Sequence, residues 1–165
     1  KGKEMMSKTA YDHVIFSYHG LPERQIIKGS VKGYCQLNGK CCEHYTSKNQ
    51  HCYRAQCVQT SKLLAEGLGI DASKYTTTFQ SRLGKTPWIK PYTDEVLKEL
   101  PAKGIKKVLA FSPAFVADCL ETTVEVGETF KEEFIEAGGE AWDLVASLND
   151  DEVWIEGLAE MVEGK

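Results

Sequence analysis

At 165 residues, 42% apolar and 27% charged, the chain supports one domain with a single substantial core. No apolar run approaches the roughly 18–20 residues that span a bilayer, and the polar segment Lys1–Ala10 lacks the apolar stretch of a signal peptide. A net charge of −4 without any basic–aromatic stripe argues against nucleic acid as a partner. The charge is uneven: residues 1–60 carry nine Lys/Arg against four Asp/Glu, and residues 61–165 carry eleven against twenty. Such asymmetry is ordinarily solvated surface, although a basic first third also suits an anionic ligand or an acidic partner.

Residues 1–10 read as a linker or the end of a preceding helix, and with no initiating methionine the chain is expected to be a piece of a longer protein. Four apolar runs rich in β-branched and aromatic residues are expected to be buried strands: His13–Tyr18, Tyr75–Gln80, Lys107–Phe111 and Ala141–Val145. Helical patterns lie between them. Ala55–Leu68 carries Val58, Leu63, Leu64 and Leu68 and stops at Gly67-x-Gly69. Pro91–Leu100 opens on a proline suited to a first turn and halts before Pro101. Glu121–Ala137 ends at Gly138-Gly139, a C-cap pattern, with Val126, Phe130, Phe134 and Ala137 as its core-facing stripe. Asp151–Val162 closes the chain. This alternation implies βαβ crossovers, hence an α/β fold with a central parallel sheet of about four strands covered on both faces. The irregular stretch Ile26–Tyr53 is too long for an ordinary connection. Taken on to Cys57, as an insertion over residues 26–57, it holds five of the six cysteines.

In such a sheet the loops at the carboxyl ends of the strands share one edge, where ligands bind. Two expected strand ends carry proton-active side chains: Phe16-Ser17-Tyr18-His19-Gly20-Leu21-Pro22 and Ser112-Pro113-Ala114-Phe115-Val116-Ala117-Asp118-Cys119-Leu120-Glu121-Thr122. His19 and Glu121 can therefore meet across one cleft. Taken alone, His19 also reads as a histidine satisfied at a strand end. Asp118-x-x-Glu121 likewise has the spacing of a capping box with Asp118 as N-cap, which accounts for both residues. Together the two segments resemble the carboxyl-terminal half of ferrochelatase, the enzyme that inserts ferrous iron into protoporphyrin IX. The resemblance implies a three-layer, chelatase-type (Rossmann-like) domain over residues 11–165. It also implies that His19 accepts protons or handles metal, and that Glu121 assists proton removal or metal delivery. Two pyrrole protons must leave as the metal enters, and imidazole titrates near neutrality. The family often has histidine where this chain has Cys119, so no role is assigned to that position.

Beyond Glu121, the residues Glu125, Glu128 and Glu132 follow at offsets of 4, 7 and 11, which is one face of an α-helix. A solvated face accounts for that spacing. The alternative is a track of hard oxygen donors for a hydrated divalent cation, which the resemblance favours for Glu121 and Glu125 only. Phe79-Gln80-Ser81-Arg82-x-Gly84, with Pro87-Trp88 and Pro91-x-Thr93, is a further ferrochelatase-like stretch. On its own it reads as a strand–loop–helix junction, with Trp88 in the core and Arg82 at a helix C-terminus. The resemblance instead makes Ser81, Arg82, Trp88 and Phe115 substrate-binding. Trp88 would offer a flat face to the macrocycle and Arg82 would pair with a propionate.

Cys35-x5-Cys41-Cys42-x9-Cys52-x4-Cys57 packs five thiols into 23 residues. A disulfide framework fits poorly without a secretory signal. No pair has the C-x2-C spacing of a zinc ribbon, although His44 and His51 keep zinc open. Irregularly spaced thiolates suit a [2Fe-2S] cluster with four cysteine ligands, and free structural thiols are the third reading. Some bacterial ferrochelatases carry an internal cysteine loop with a Cys-Tyr-Arg-Ala-Gln-Cys segment like residues 52–57. That likeness implies a cluster held by four of the five, with Cys41 and Cys42 contributing one ligand between them; Cys119 stays outside the set.

The resemblance thus implies a haem-biosynthesis enzyme acting on protoporphyrin IX and ferrous iron, in the cytoplasm and with room for peripheral membrane contact. It implies too an amino-terminal domain that this chain lacks, without which the chain is expected to be inactive. Two other classes stay open: a chelatase for coproporphyrin or sirohydrochlorin, and a non-catalytic iron–sulfur or zinc module.

Overall fold

The computed structural model describes residues 1–164; Lys165, the last residue of the expected domain, lies outside the described residues. Four strands, β1 His13–His19, β2 Tyr75–Gln80, β3 Lys107–Phe111 and β4 Ala141–Leu144, form one sheet in the order β2-β1-β3-β4. Every neighbouring pair is parallel, with His19 opposite Gln80 and Phe16 opposite Phe111. β1 runs one residue further than expected, so His19 is the last residue of the strand.

Successive strand residues point to opposite faces, and here both faces are covered, which is why β1 and β3 read as continuous apolar runs. Val14, Phe16, Tyr18 and Leu109 pack on one side with Ile26, Cys57, Ala65 and Phe79. Ile15, Val108 and Ala110 pack on the other with Leu97, Leu100, Val126, Phe130, Phe134 and Trp142. The first side is roofed by α1 Gly2–Lys8, α2 Glu23–Gly29 and α3 Tyr53–Leu68; the second by α4 Thr93–Glu99, a π-helical segment Glu121–Thr129 and α5 Phe130–Glu136. A fully buried Phe, Leu or Ile contributes roughly 1.5–3 kcal/mol, so these two layers carry most of the stability. The last helix, α6 Glu152–Glu163, is capped by Asp151, whose side chain accepts from the Val153 amide, and it buries none of its residues.

Several expectations are corrected. Residues 1–10, expected as a linker or the end of a preceding helix, hold the helix α1 and no linker: it packs Met5 and Met6 against the first core, and a Cβ on Gly2 would come 2.7 Å from the Phe111 ring. The irregular stretch is shorter than Ile26–Tyr53, because α2 captures Ile26 and α3 begins at Tyr53, two residues before the expected Ala55. Pro91 does not start α4. Its carbonyl pairs with the Phe79 amide at 2.9 Å, which keeps the chain extended to Tyr92, the N-cap.

The expected α-helix over Glu121–Ala137 is π-helical through Thr129 and α-helical only from Phe130. The Trp142 indole donates to the Val126 carbonyl at 2.8 Å, and the Phe130 amide reaches back five residues to Glu125. A buried indole that needs an acceptor has thus taken one from the middle of the helix. Val126, Phe130 and Phe134 are buried as expected, but Ala137 is exposed and belongs to the C-cap, where Gly138 adopts φ 98°.

Candidate functional site

Parallel strands end together, so the residues following β1, β2 and β3 lie along one edge. His19, half-buried, is followed by Gly20, where a Cβ would lie 3.1 Å from the Gln80 carbonyl and 3.2 Å from the Trp88 ring. Such close approach suits only glycine. The Gly20 amide then bonds the Gln80 carbonyl at 2.8 Å, and the Ile89 amide bonds the Leu21 carbonyl at 3.0 Å. The loop bearing His19 is thereby laced to β2 and to the Trp88 segment.

His19 Nδ1 lies 2.7 Å from the Gly20 carbonyl. A carbonyl only accepts, so the network assigns a proton to Nδ1 and leaves Nε2 as the nitrogen that can exchange one. The imidazole stands 6.2 Å, centroid to centroid, from the Trp88 indole, whose Nε1 donates to the Leu83 carbonyl at 3.0 Å. Trp88 is half-buried at this edge and not a core residue.

Glu121 opens the π-helical segment. Its own backbone N–H and the Cys119 thiol hold its carboxyl below the usual range, and the His19 charge adds to the effect. It is therefore ionised at neutral pH and within electrostatic reach of the imidazole. The expected capping box is not made. Asp118 accepts from the Ser147 amide at 3.1 Å and the Asn149 side chain at 2.7 Å, while Thr122 Oγ1 accepts from the Cys119 amide at 2.9 Å. Asn149 first, then Ser147 and Thr122, depress the Asp118 carboxyl. The loop after β4 has drawn Asp118 away and left Glu121 free of a capping duty.

The π-helical register also divides the acidic ladder. Glu125 turns to β2: Oε1 accepts from the Ser81 amide at 3.0 Å, and Oε2 from the Ser81 hydroxyl at 2.5 Å and Gln80 Nε2 at 3.3 Å. Glu128 and Glu132 instead line an open groove with Lys131 and Ile135. Ser81 holds φ 63°, rare for a residue other than glycine. Its two bonds to Glu125 offset that strain.

Arg82 lies at neither a helix C-terminus nor a free position. Its guanidinium bridges Asp94 and Glu95 (3.1 Å) in the first turn of α4 and stacks over the Tyr92 ring, 4.1 Å from the centroid. Phe115 lines a cavity of about 550 Å³ with Phe111, Pro113, Val145 and Val153.

The cysteine loop, residues 30–52, crosses the start of α3. Cys41 Sγ is 3.9 Å from Cys35 Sγ and 4.0 Å from Cys42 Sγ. Two thiolates on one tetrahedral ion at about 2.3 Å would be about 3.8 Å apart. Among the described residues no three ligating groups are already arranged as a metal site, yet the thiols interact as a group. Cys52 acts electrostatically on Cys35, Cys42 and Cys57. Burial pushes Cys42 and Cys57 up to about 12. Burial opposes the Cys41 thiolate too, but the Gln36 backbone, its two thiol neighbours and Arg54 outweigh it and hold that thiol low. Arg54 is 8% exposed, and its guanidinium donates to the carbonyls of Leu37 (2.9 Å) and Lys90 (2.7 Å). A buried cation beside clustered thiols fits an anionic, thiolate-ligated group. His44 and His51 are both exposed.

Two structurally decisive residues escaped the sequence. Gln80, 3% exposed, accepts from Ser17 at 2.6 Å and donates to the Glu121 carbonyl at 3.1 Å, joining β1, β2 and the π-helical segment. Tyr53 donates to the His19 carbonyl at 2.7 Å. A buried glutamine closing a threonine-rich strand and a tyrosine inside the cysteine segment were the available signals.

A family model described as Ferrochelatase matches residues 2–165. The ferrochelatase of Legionella pneumophila (strain Lens) is 52% identical over 150 residues, covering 91% of this chain and 44% of that protein. That of Pseudomonas fluorescens (strain Pf0-1) is 48% identical over 155 residues, covering 93% and 46%. That of Pseudomonas putida (strain ATCC 700007 / F1) is 46% identical over 159 residues, covering 94% and 47%. The chain spans less than half the length of the curated relatives it matches. With this match over nearly its whole length, the chain belongs to the ferrochelatase family.

Proposed function

We propose that this chain is the carboxyl-terminal half of an enzyme that inserts Fe²⁺ into protoporphyrin IX in haem biosynthesis. An amino-terminal domain would supply the other wall of the porphyrin cleft. The observation that carries this reading is the convergence of His19, its Nδ1 held by the Gly20 carbonyl, and an ionised Glu121 at one sheet edge beside Trp88, in a chain of this family.

The reaction releases two protons for each Fe²⁺ bound. His19 Nε2, unencumbered because Nδ1 serves Gly20, accepts a pyrrole proton. The Glu121 carboxylate is a hard oxygen donor able to replace water on the incoming ion or take the second proton. Glu125, held by Ser81 and Gln80, stands one turn behind it and fixes the segment against β2. The Trp88 face abuts the macrocycle.

We assign the loop thiols to a [2Fe-2S] cluster held by Cys35, Cys52, Cys57 and one of Cys41 and Cys42. Such a group would supply a redox-active cross-link across the loop. The support is the sulfur spacing and the buried Arg54 beside it.

The test is metal insertion by the full-length protein, with protoporphyrin IX, coproporphyrin and sirohydrochlorin in competition. Preference for protoporphyrin IX is expected, and preference for either other tetrapyrrole would overturn the substrate assignment. The isolated 165-residue chain should insert no metal above background; robust turnover by it would overturn the two-domain reading.

A further inference from the structure

Residues 53 and 54 lie between two of the loop cysteines and reach both segments of the site. Tyr53, the first residue of α3, follows Cys52 directly. Its hydroxyl donates to the His19 carbonyl at 2.7 Å and also interacts with the Cys57 thiol. Arg54 Nη1 holds the Leu37 carbonyl inside the cysteine loop, and Nη2 holds the Lys90 carbonyl two residues beyond Trp88. A Cβ on Gly39 would lie 3.2 Å from Arg54 Nη2, so the loop closes tightly over the guanidinium. One helical turn therefore has a hydrogen bond to each of the two segments that bear His19 and Trp88, and a contact with the thiols at its other side.

We propose that Tyr53 and Arg54 are positioning residues that couple the order of the cysteine loop to the strand end carrying His19 and to the Trp88–Lys90 segment. Tyr53 acts on His19 through the backbone carbonyl. If the first turn of α3 shifts as the thiols reorganise, that carbonyl loses its donor. The Gly20 peptide, whose amide bonds Gln80 and whose carbonyl takes His19 Nδ1, then loosens with it. Arg54 resists the same shift because moving it strands a buried guanidinium with unpaired donors, which is far more costly than losing one neutral bond. The physical warrant is a continuous set of hydrogen bonds, not proximity alone.

The role given to His19 rests on the proposed metal insertion, but the coupling is measurable without any substrate. In the full-length protein, amide hydrogen exchange at Gly20 should rise about fivefold in Tyr53→Phe, as for loss of one net hydrogen bond. Cys52→Ser should raise it by a similar factor when Tyr53 is intact. The double variant should exchange no faster than Tyr53→Phe alone, because the link is already cut. Unchanged Gly20 exchange in Tyr53→Phe, or effects of the two substitutions that simply multiply, would overturn the coupling. For metal insertion, Tyr53→Phe should lower kcat about tenfold, leave KM for porphyrin unchanged and shift the acid limb of the pH profile; a change confined to KM would place Tyr53 in binding and overturn its positioning role. Should the wild-type protein insert no metal while the exchange pattern holds, the functional reading falls and the coupling stands.

Discussion

His19 and the loop thiols flank the same turn of α3, yet different forces hold them. At the strand ends, side chains are placed by backbone already paired into the sheet: His19 lies opposite Gln80, and the Gly20 amide continues the ladder. Beneath them a buried set of hydroxyls, Ser17, Thr78 and Thr93, connects β1, β2 and α4 at 2.9 Å spacings. In residues 30–52 there is no strand, only two short 3-10 turns. Order there depends on a few side chains: Asn49 donates to the carbonyls of Cys41 and His44, Ser30 accepts from the Cys35 amide, and Arg54 holds Leu37. The sheet edge is a geometry made by strand pairing, whereas the thiol loop is held by a handful of side-chain bonds.

The strongest way to break this contrast is at the edge. Glu121→Gln should leave the melting temperature of the full-length protein nearly unchanged while reducing turnover at least about a hundredfold, the usual scale for losing a general acid–base group. His19→Ala should do likewise, and the double variant should be little worse than either. Activity assays paired with calorimetry decide this, and a Glu121→Gln enzyme with most of its activity would remove that carboxylate from the chemistry.

The loop should respond in the opposite sense, in ordering before catalysis. Cys52→Ser, Cys57→Ser and Cys35→Ser should each bleach the visible absorption of anaerobically purified protein and open the loop to protease. Cys41→Ser and Cys42→Ser should each retain part of the colour, because the adjacent thiols can substitute for one another. Full colour in Cys52→Ser would refute its place as a ligand.

A subtler probe loosens the loop without touching sulfur. Asn49, 4% exposed, makes two bonds to loop carbonyls and accepts from the Thr46 amide. Asn49→Ala leaves those groups unpaired, at about 1–3 kcal/mol. Faster amide exchange in the loop and, through Tyr53, at Gly20, with the interior of β1 and β2 unaltered, is the expected result.

The smallest effect concerns the Asp118 tie between the π-helical segment and the loop after β4. Its carboxyl is depressed in the folded protein, so it contributes stability above its unfolded value of about 3.9, lost as pH falls through the lower folded value. Asp118→Asn should therefore destabilise at neutral pH by well under about 1 kcal/mol, since the group is exposed and screened. The difference from wild type should shrink below about pH 4, as followed by denaturant unfolding across pH.

The sheet was legible because its information is local. Apolar runs with β-branched residues marked β1 to β4 to within one residue. His19 and Glu121 could be brought together on paper because strands of a parallel sheet end on one side. Other details resisted reading because each depends on a partner distant in the chain. The spacing of Asp118 and Glu121 describes a capping box correctly as a local pattern, but Ser147 and Asn149 compete for the same carboxylate. The four-glutamate face presumes 3.6 residues per turn, and a tryptophan 16 residues away changes that turn.

From sequence alone came the α/β class, the parallel sheet, the edge on which His19 and Glu121 stand and the presence of a thiol-rich loop. Periodicity, turn residues and apolar runs express backbone preference and burial, which neighbouring residues largely decide. Tertiary structure alone decided the π-helical register, the anchoring of Glu125 by Ser81 and Gln80, the capture of Arg82 by α4, and the contact from Tyr53 to His19. Each of these is a choice among competing hydrogen-bond partners, and that choice depends on which distant groups the folded core brings within about 3 Å.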